Sequence, residues 1–195
     1  MRLALLMPLV MLTMSCDFVG RTMAKFIPAL EKTNEDWAPP QMDCESNIPT
    51  RSPTRCVAGK IRCGDIIEGH SAAGKKRWDD AFYRGAKCVP ASHGYTAAPE
   101  MTYRLKLEPH TDAVVTLVSD CADLDLFGFR WEEKGSCPTN KHYQRIGECE
   151  MDDTKRGGKI KLNSVMKPAT YLIGVDGKKG AVGNYRLSVE CRNSL

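Results

Sequence analysis

The chain has 195 residues, 42% of them apolar, with 16 Gly, 11 Pro and 9 Cys, enough for one domain with some chain to spare. That composition excludes a fibre or a long disordered tail. The 28 Lys and Arg against 24 Asp and Glu leave +4 in dispersed positions, so charge gives no ground for a nucleic-acid partner.

Leu3 to Leu12 form an apolar run behind Arg2, the layout of a secretory signal. The run is too short for the roughly 20 residues of a membrane span, and Asp17 closes it off. Leu12-Thr13-Met14-Ser15-Cys16 resembles the lipobox of bacterial lipoproteins, with a small Ser15 before the cysteine and Thr13 where Leu is usual. The resemblance implies a signal peptide over residues 1–15 and acyl chains on Cys16; the alternative is an ordinary secreted protein in which Cys16 is an incidental thiol. Cysteine parity favours the anchor. Removing Cys16 leaves Cys44, Cys56, Cys63, Cys88, Cys121, Cys137, Cys149 and Cys191, an even set that reads as four disulfides in an oxidising compartment. The expected address is the cell envelope, lipid-anchored in the outer membrane, with either face open.

Residues 16–56 carry Pro28, Pro39, Pro40, Pro49 and Pro53 with little apolar periodicity and read as a tether and an irregular approach to the domain. Cys44 and Cys56 bracket a Pro-containing stretch that suits a locally closed loop. From Val57 the texture becomes short β-branched and aromatic runs between turn residues, and residues 57–195 are expected to form the folded domain. Met101, Tyr103, Leu105 and Leu107 alternate with Thr102, Arg104 and Lys106, which predicts a half-buried strand. Six more strands are predicted at Asp65–Glu68, Ala113–Ser119, Leu124–Trp131, Lys159–Val165, Thr170–Val175 and Tyr185–Cys191. Seven short strands without an amphipathic helix of 11 residues predict an all-β, antiparallel sandwich.

Four segments carry a family likeness: Cys63-Gly64, EMTYRLKL from Glu100, ADLDLFGF from Ala122 and ATYLIGVDGKKGAVGNYRLSVEC from Ala169. Together they resemble the bacterial pre-peptidase C-terminal domain over Ile61 to Cys191, about two-thirds of the chain. The resemblance implies a jelly-roll-like β-sandwich that performs no chemistry itself and commonly trails a secreted hydrolase. With no catalytic domain ahead of it, this chain looks like a stand-alone lipoprotein form. First and last strands are often neighbours in jelly rolls, which pairs Cys63 with Cys191. Proximity pairs Cys137 with Cys149, elimination pairs Cys88 with Cys121, and Cys44–Cys56 completes one of the 105 possible connectivities.

Asp123 and Asp125 flank Leu124, so on a strand both carboxylates share a face and could hold a hard cation such as calcium. The competing reading is that they bond backbone amides or face water. Asp176 before Gly177 reads as a turn residue. GHSAAGKK from Gly69 approximates a phosphate loop but has Lys76 where Ser or Thr should stand, and reads as a surface loop. His70, His93, His110 and His142 show no metal-ligand spacing, and the cysteines contain no CxxC. Basic clusters stand at Lys75 to Arg77 beside Trp78, at Lys155 to Lys161, and at Lys178 and Lys179. Brought to one face, with Trp78 exposed, they would suit an anionic polysaccharide or lipid headgroups. The expected function is a non-enzymatic envelope lipoprotein that meets other envelope proteins as an interaction or assembly module and requires no cofactor. The alternative is a module binding calcium, polysaccharide or fibres, as the collagen-binding relatives of the fold suggest.

Overall fold

Residues 111–118 alternate buried and half-exposed side chains without a break, and seven other stretches of the chain pair with one another around the same apolar layer. The computed structural model describes residues 41–88, 93–96, 98–133 and 135–194. The signal peptide, Cys16 and the tether as far as residue 40 lie outside the described residues.

The strands are β1 (Gly59–Ile61), β2 (Ile66–His70), β3 (Met101–Leu107), β4 (Thr111–Val118), β5 (Leu124–Arg130), β6 (Cys149–Asp152), β7 (Gly157–Ser164), β8 (Ala169–Gly177) and β9 (Asn184–Asn193). One helical turn and a half, α1 (Asp80–Gly85), stands between β2 and β3. Sheet A has the order β1-β3-β8-β5-β6 and sheet B the order β2-β9-β4-β7. From β2 onward the two sheets interleave as a jelly roll does, and every pairing is antiparallel except that of β1, which lies parallel to β3 on the sheet A edge. The fold is therefore the expected all-β, disulfide-stapled sandwich. All seven predicted strands are present to within a few residues at each end.

Leu105 and Leu107 of β3, Val115 and Leu117 of β4, Leu126 of β5, Ile160 of β7, Ile173 of β8 and Leu187 of β9 fill the space between the sheets. At 25 cal/mol per Å2, each such side chain contributes about 1.5–3 kcal/mol on burial. Gly128 of β5 faces this layer because an added Cβ would lie 2.6 Å from Ile160 and 3.1 Å from Leu162. The bare backbone there lets the branched side chains of β7 come down onto sheet A.

A second core lies on the other side of sheet A. Phe127 and Phe129 of β5 and Leu172 of β8 point away from the sandwich and meet Trp78, Phe82, Tyr83 and Tyr95, which descend from residues 74–100. Tyr83 stacks on Phe127 at 4.3 Å between ring centroids, and Trp78 meets Phe129 edge-on at 4.9 Å. That cover explains why six of the seven residues of β5 are buried although the strand has two faces. The Asp79 carboxylate accepts a hydrogen bond from Phe82 N (2.8 Å) and caps α1; Lys87, in the left-handed region, ends it, with Cys88 N donating to Tyr83 O.

The four disulfides join Cys44 to Cys121, Cys56 to Cys137, Cys63 to Cys191 and Cys88 to Cys149. The local pairings expected for Cys44–Cys56 and Cys137–Cys149, and the Cys88–Cys121 pairing left by elimination, are not formed. Closeness along the chain misleads here because residues 41–56 run across the body: Met42 N donates to Asp120, His70 N donates to Thr50 Oγ1, and the Asn184 amide donates to the carbonyls of Asp43 and Ser46. This segment has no regular structure, yet it is fastened to the sandwich. Cys56 lies against the aromatic layer and finds Cys137 there, while Cys88, leaving α1, meets Cys149 at the start of β6.

Candidate functional site

Asp125 of β5 and Asp176 of β8 are register partners, and both carboxylates point into the aromatic layer rather than to solvent. Tyr83 OH donates to Asp176 Oδ2 at 2.7 Å, and Tyr95 OH donates to Asp125 Oδ2. Burial pushes the Asp125 carboxyl up to about 6 and Asp176 well above the usual carboxylate range, because the layer offers little to solvate an anion. The same burial, with the carboxylates beside them, raises both tyrosines. Glu100, fully buried before β3, accepts hydrogen bonds from Arg77 N (2.8 Å) and Trp78 N (2.9 Å); burial still outweighs those bonds and pushes it up to about 7. Asp176 and Asp125 tie Tyr83 and Tyr95 to sheet A, and Glu100 ties residues 77 and 78 to the start of β3.

Asp123 and Asp125 are not a free pair of ligands. Asp125 Oδ2 is taken by Tyr95, and the Lys178 ammonium stands 3.9 Å from it and 3.0 Å from Asp153 Oδ2. One oxygen of each, Oδ1, is buried without a partner, but among the described residues no group of three or more His, Cys, Asp or Glu is arranged to hold a metal ion. Calcium takes six to eight oxygens, and the cation standing beside this carboxylate is the Lys178 ammonium.

Several residues stand elsewhere than the sequence implied. Asp176 is the penultimate residue of β8, still paired in the sheet, with the turn beginning beyond Gly177. Trp78 is 3% exposed with Nε1 donating to Pro138 O, so it offers no platform for a sugar, and Arg77 turns its guanidinium onto the carbonyls of Arg55 and Cys56. Ser71, in the GHSAAGKK stretch, is buried and accepts from Gly183 N. His70 accepts from Ala72 N on β2, His93 and His110 are exposed in separate loops, and His142 lies beside Trp131. Tyr83, Tyr95 and Glu100 escaped the sequence reading; the signal available was an Asp within each of two apolar runs, DLDLF and LIGVDG, which a strand must bury.

The opposite surface is different. Among the described residues the aromatic layer packs on sheet A, and on the outside of sheet B Val114 and Thr116 of β4 and Ser188 of β9 are half-exposed between charged neighbours. A groove of about 490 Å3 opens on it, lined by Asp112, Val114, Lys161, Asn163, Glu190 and Arg192. Cross-strand pairing lays Lys161, Val114 and Glu190 in one row and Asn163, Asp112 and Arg192 in the next. Arg192 Nε is 3.5 Å from Asp112 Oδ2, and Arg186 forms an ion pair with Glu68 at 2.6 Å.

No family model and no curated protein matches the chain. Among solved structures, it is similar to the pre-peptidase C-terminal domain of a collagenase from Bacillus anthracis, at 13% identity and a TM-score of 0.40 over 74% of this chain and 100% of that one. It is also similar to PliG of Aeromonas hydrophila, a periplasmic inhibitor of g-type lysozyme, at 13% identity and a TM-score of 0.39 over 69% of this chain and 99% of that one. The first of these is a member of the family that the quoted sequence segments resemble.

Proposed function

We propose that the protein is a non-enzymatic interaction or assembly module of the cell envelope, held at the outer membrane through acylated Cys16, which meets its partners with the outer face of sheet B. One observation carries this reading: the two outer faces of the sandwich are treated oppositely. Sheet A is sealed by an aromatic layer whose ionisable groups are used up in holding it down, whereas sheet B presents four strands of half-exposed side chains around a groove. Burial of Asp125, Asp176 and Glu100 leaves them no open route to a substrate, so they serve as internal fastenings.

A photo-crosslinking residue placed at Thr116, on the outer face of sheet B, tests the reading in cells against the same residue at Lys60, on the sheet A edge strand. Thr116 is expected to capture an envelope component reproducibly and Lys60 to capture none. Equal capture from both positions would remove sheet B as the interaction face. Intact mass of the same preparation should show acyl chains on a polypeptide beginning at Cys16; a mass without them would remove the anchor.

A further inference from the structure

The whole chain carries +4, and residues 1–40 hold four basic and four acidic side chains, so the sandwich and its N-terminal strap carry all of that excess. Lys155 and Arg156 form the turn between β6 and β7, and Lys159 and Lys161 follow on β7. All four are exposed, and among the described residues none stands in an ion pair. Lys159 and Lys161 are two residues apart on one strand, so their side chains leave the same face about 7 Å from each other. Their strand is the edge of sheet B, and Lys161 also lines the groove.

The other side of the groove has a different chemistry. Asp112 is neutralised by Arg192, and Glu190 and Asn163 offer hydrogen-bond acceptors and an amide donor above the apolar floor of Val114. A ligand lying across the face therefore meets fixed positive charge along β7 and hydroxyl-binding groups over β4 and β9. Protein partners of high affinity are held by buried aromatic or arginine anchors at the centre of the contact, and this centre has Val114, Thr116 and Ser188 instead. The exposed apolar side chains near this face, Ile66 on β2 and Val165 and Met166 beyond the end of β7, stand outside the groove lining, and vesicles are therefore one of the probes in the test below.

Resting on the reading of sheet B as the interaction face, we propose that its partner is an anionic polysaccharide, a polymer bearing both carboxylate or phosphate charges and free hydroxyls. Lys155, Arg156, Lys159 and Lys161 face the charges; Asn163 and Glu190 take hydroxyls of a sugar ring seated in the groove. The volume suits one or two rings, within the range of small-molecule sites.

Affinity electrophoresis of the full chain through gels containing polygalacturonate, with uncharged dextran and 30% phosphatidylglycerol vesicles as parallel probes, tests this. The wild type is expected to be retarded by polygalacturonate, increasingly so at low salt, and by neither other probe. Lys159→Glu/Lys161→Glu should weaken retardation at least tenfold, Lys159→Gln/Lys161→Gln by a smaller factor, and Lys60→Glu not at all, with circular dichroism confirming that each variant is folded. Unchanged retardation of both lysine double variants would overturn the assignment, as would vesicle binding without polymer binding. Absence of polymer binding together with protein crosslinks from Thr116 would defeat the polysaccharide alone, whereas the absence of both would defeat the sheet B reading as well.

Discussion

Glu100 keeps its carboxyl out of water entirely. Its carboxyl is fully buried, accepts two backbone N–H bonds and is nevertheless pushed up to about 7 by burial, against an ordinary value of 4.5. A carboxyl with a raised folded-state value binds its proton more tightly when folded. Its stabilising contribution is therefore complete below about pH 4.5 and is lost as pH rises through about 7. Two and a half pH units correspond to about 3 kcal/mol. Asp125, raised to about 6, and Asp176 act in the same direction. Thermal unfolding followed by circular dichroism should thus show Tm falling by roughly 6–12 °C between pH 5 and pH 8. In Glu100→Gln, which retains one acceptor and removes the charge, the slope should be visibly flatter. A wild-type Tm that rises across this range would show the three carboxyls to be solvated. None of this was legible from residue types alone: Glu100 precedes a well-predicted strand by one position, and nothing in its neighbours signals that residues 77 and 78 will fold back onto it. Asp125 stands out in DLDLF as a carboxylate on a strand, but nothing in that run signals that Tyr95 will bond to it.

Strands with a solvated face announce themselves, and elements with two covered faces or few residues do not. β3, β4 and β9 alternate along their length because one side of each is wet over most of its run, and their spans are close to those that the alternation predicts. β1 and β6, at three and four residues, are too short to show a period, and both lie on sheet edges where pairing rather than pattern defines them. The six residues of α1 bury Phe82 and Tyr83 side by side, which no amphipathic template of 11 residues detects. A helix this short depends on its cap and its packing, since nucleation costs more than so few hydrogen bonds return. Asp79→Ala removes the bond to Phe82 N and should cost about 1 kcal/mol in urea unfolding. The amide protons of Phe82 and Tyr83 should exchange faster in that variant while those of β4 stay protected. Equal protection of the helix in both proteins would mean that the aromatic layer alone holds α1 in place.

At the scale of the whole molecule the cysteines divide what a sequence can and cannot say. Parity leaves Cys16 as the odd cysteine, and the expected neighbourhood of Cys63 and Cys191 is present because Cys63 lies just ahead of β2, which pairs directly with β9, the strand that carries Cys191. The remaining partners depend on where residues 41–56 cross the surface, which no local pattern records, and so the short loops that proximity favours are replaced by closures of 61 to 81 residues. Removing Cys44–Cys121 is the informative perturbation. With Cys56–Cys137 still in place, the additional loop it closes spans only about 28 residues, worth about 3–4 kcal/mol of unfolded-state entropy rather than the value for its full separation. Cys44→Ser/Cys121→Ser should therefore lower Tm by roughly 10 °C without abolishing folding. The same variant should open residues 41–52 to trypsin at Arg51, because a few hydrogen bonds, those of Met42, Thr50 and the Asn184 amide, would then hold this part of the strap. If Tm and cleavage are both unchanged, the strap is held by those bonds alone; if the protein fails to fold, the strap is part of the sandwich rather than an attachment to it. The expected middle result would place residues 41–56 between those limits, as a clamp that stiffens the sandwich by tying its loops at Cys121 and Cys137 together.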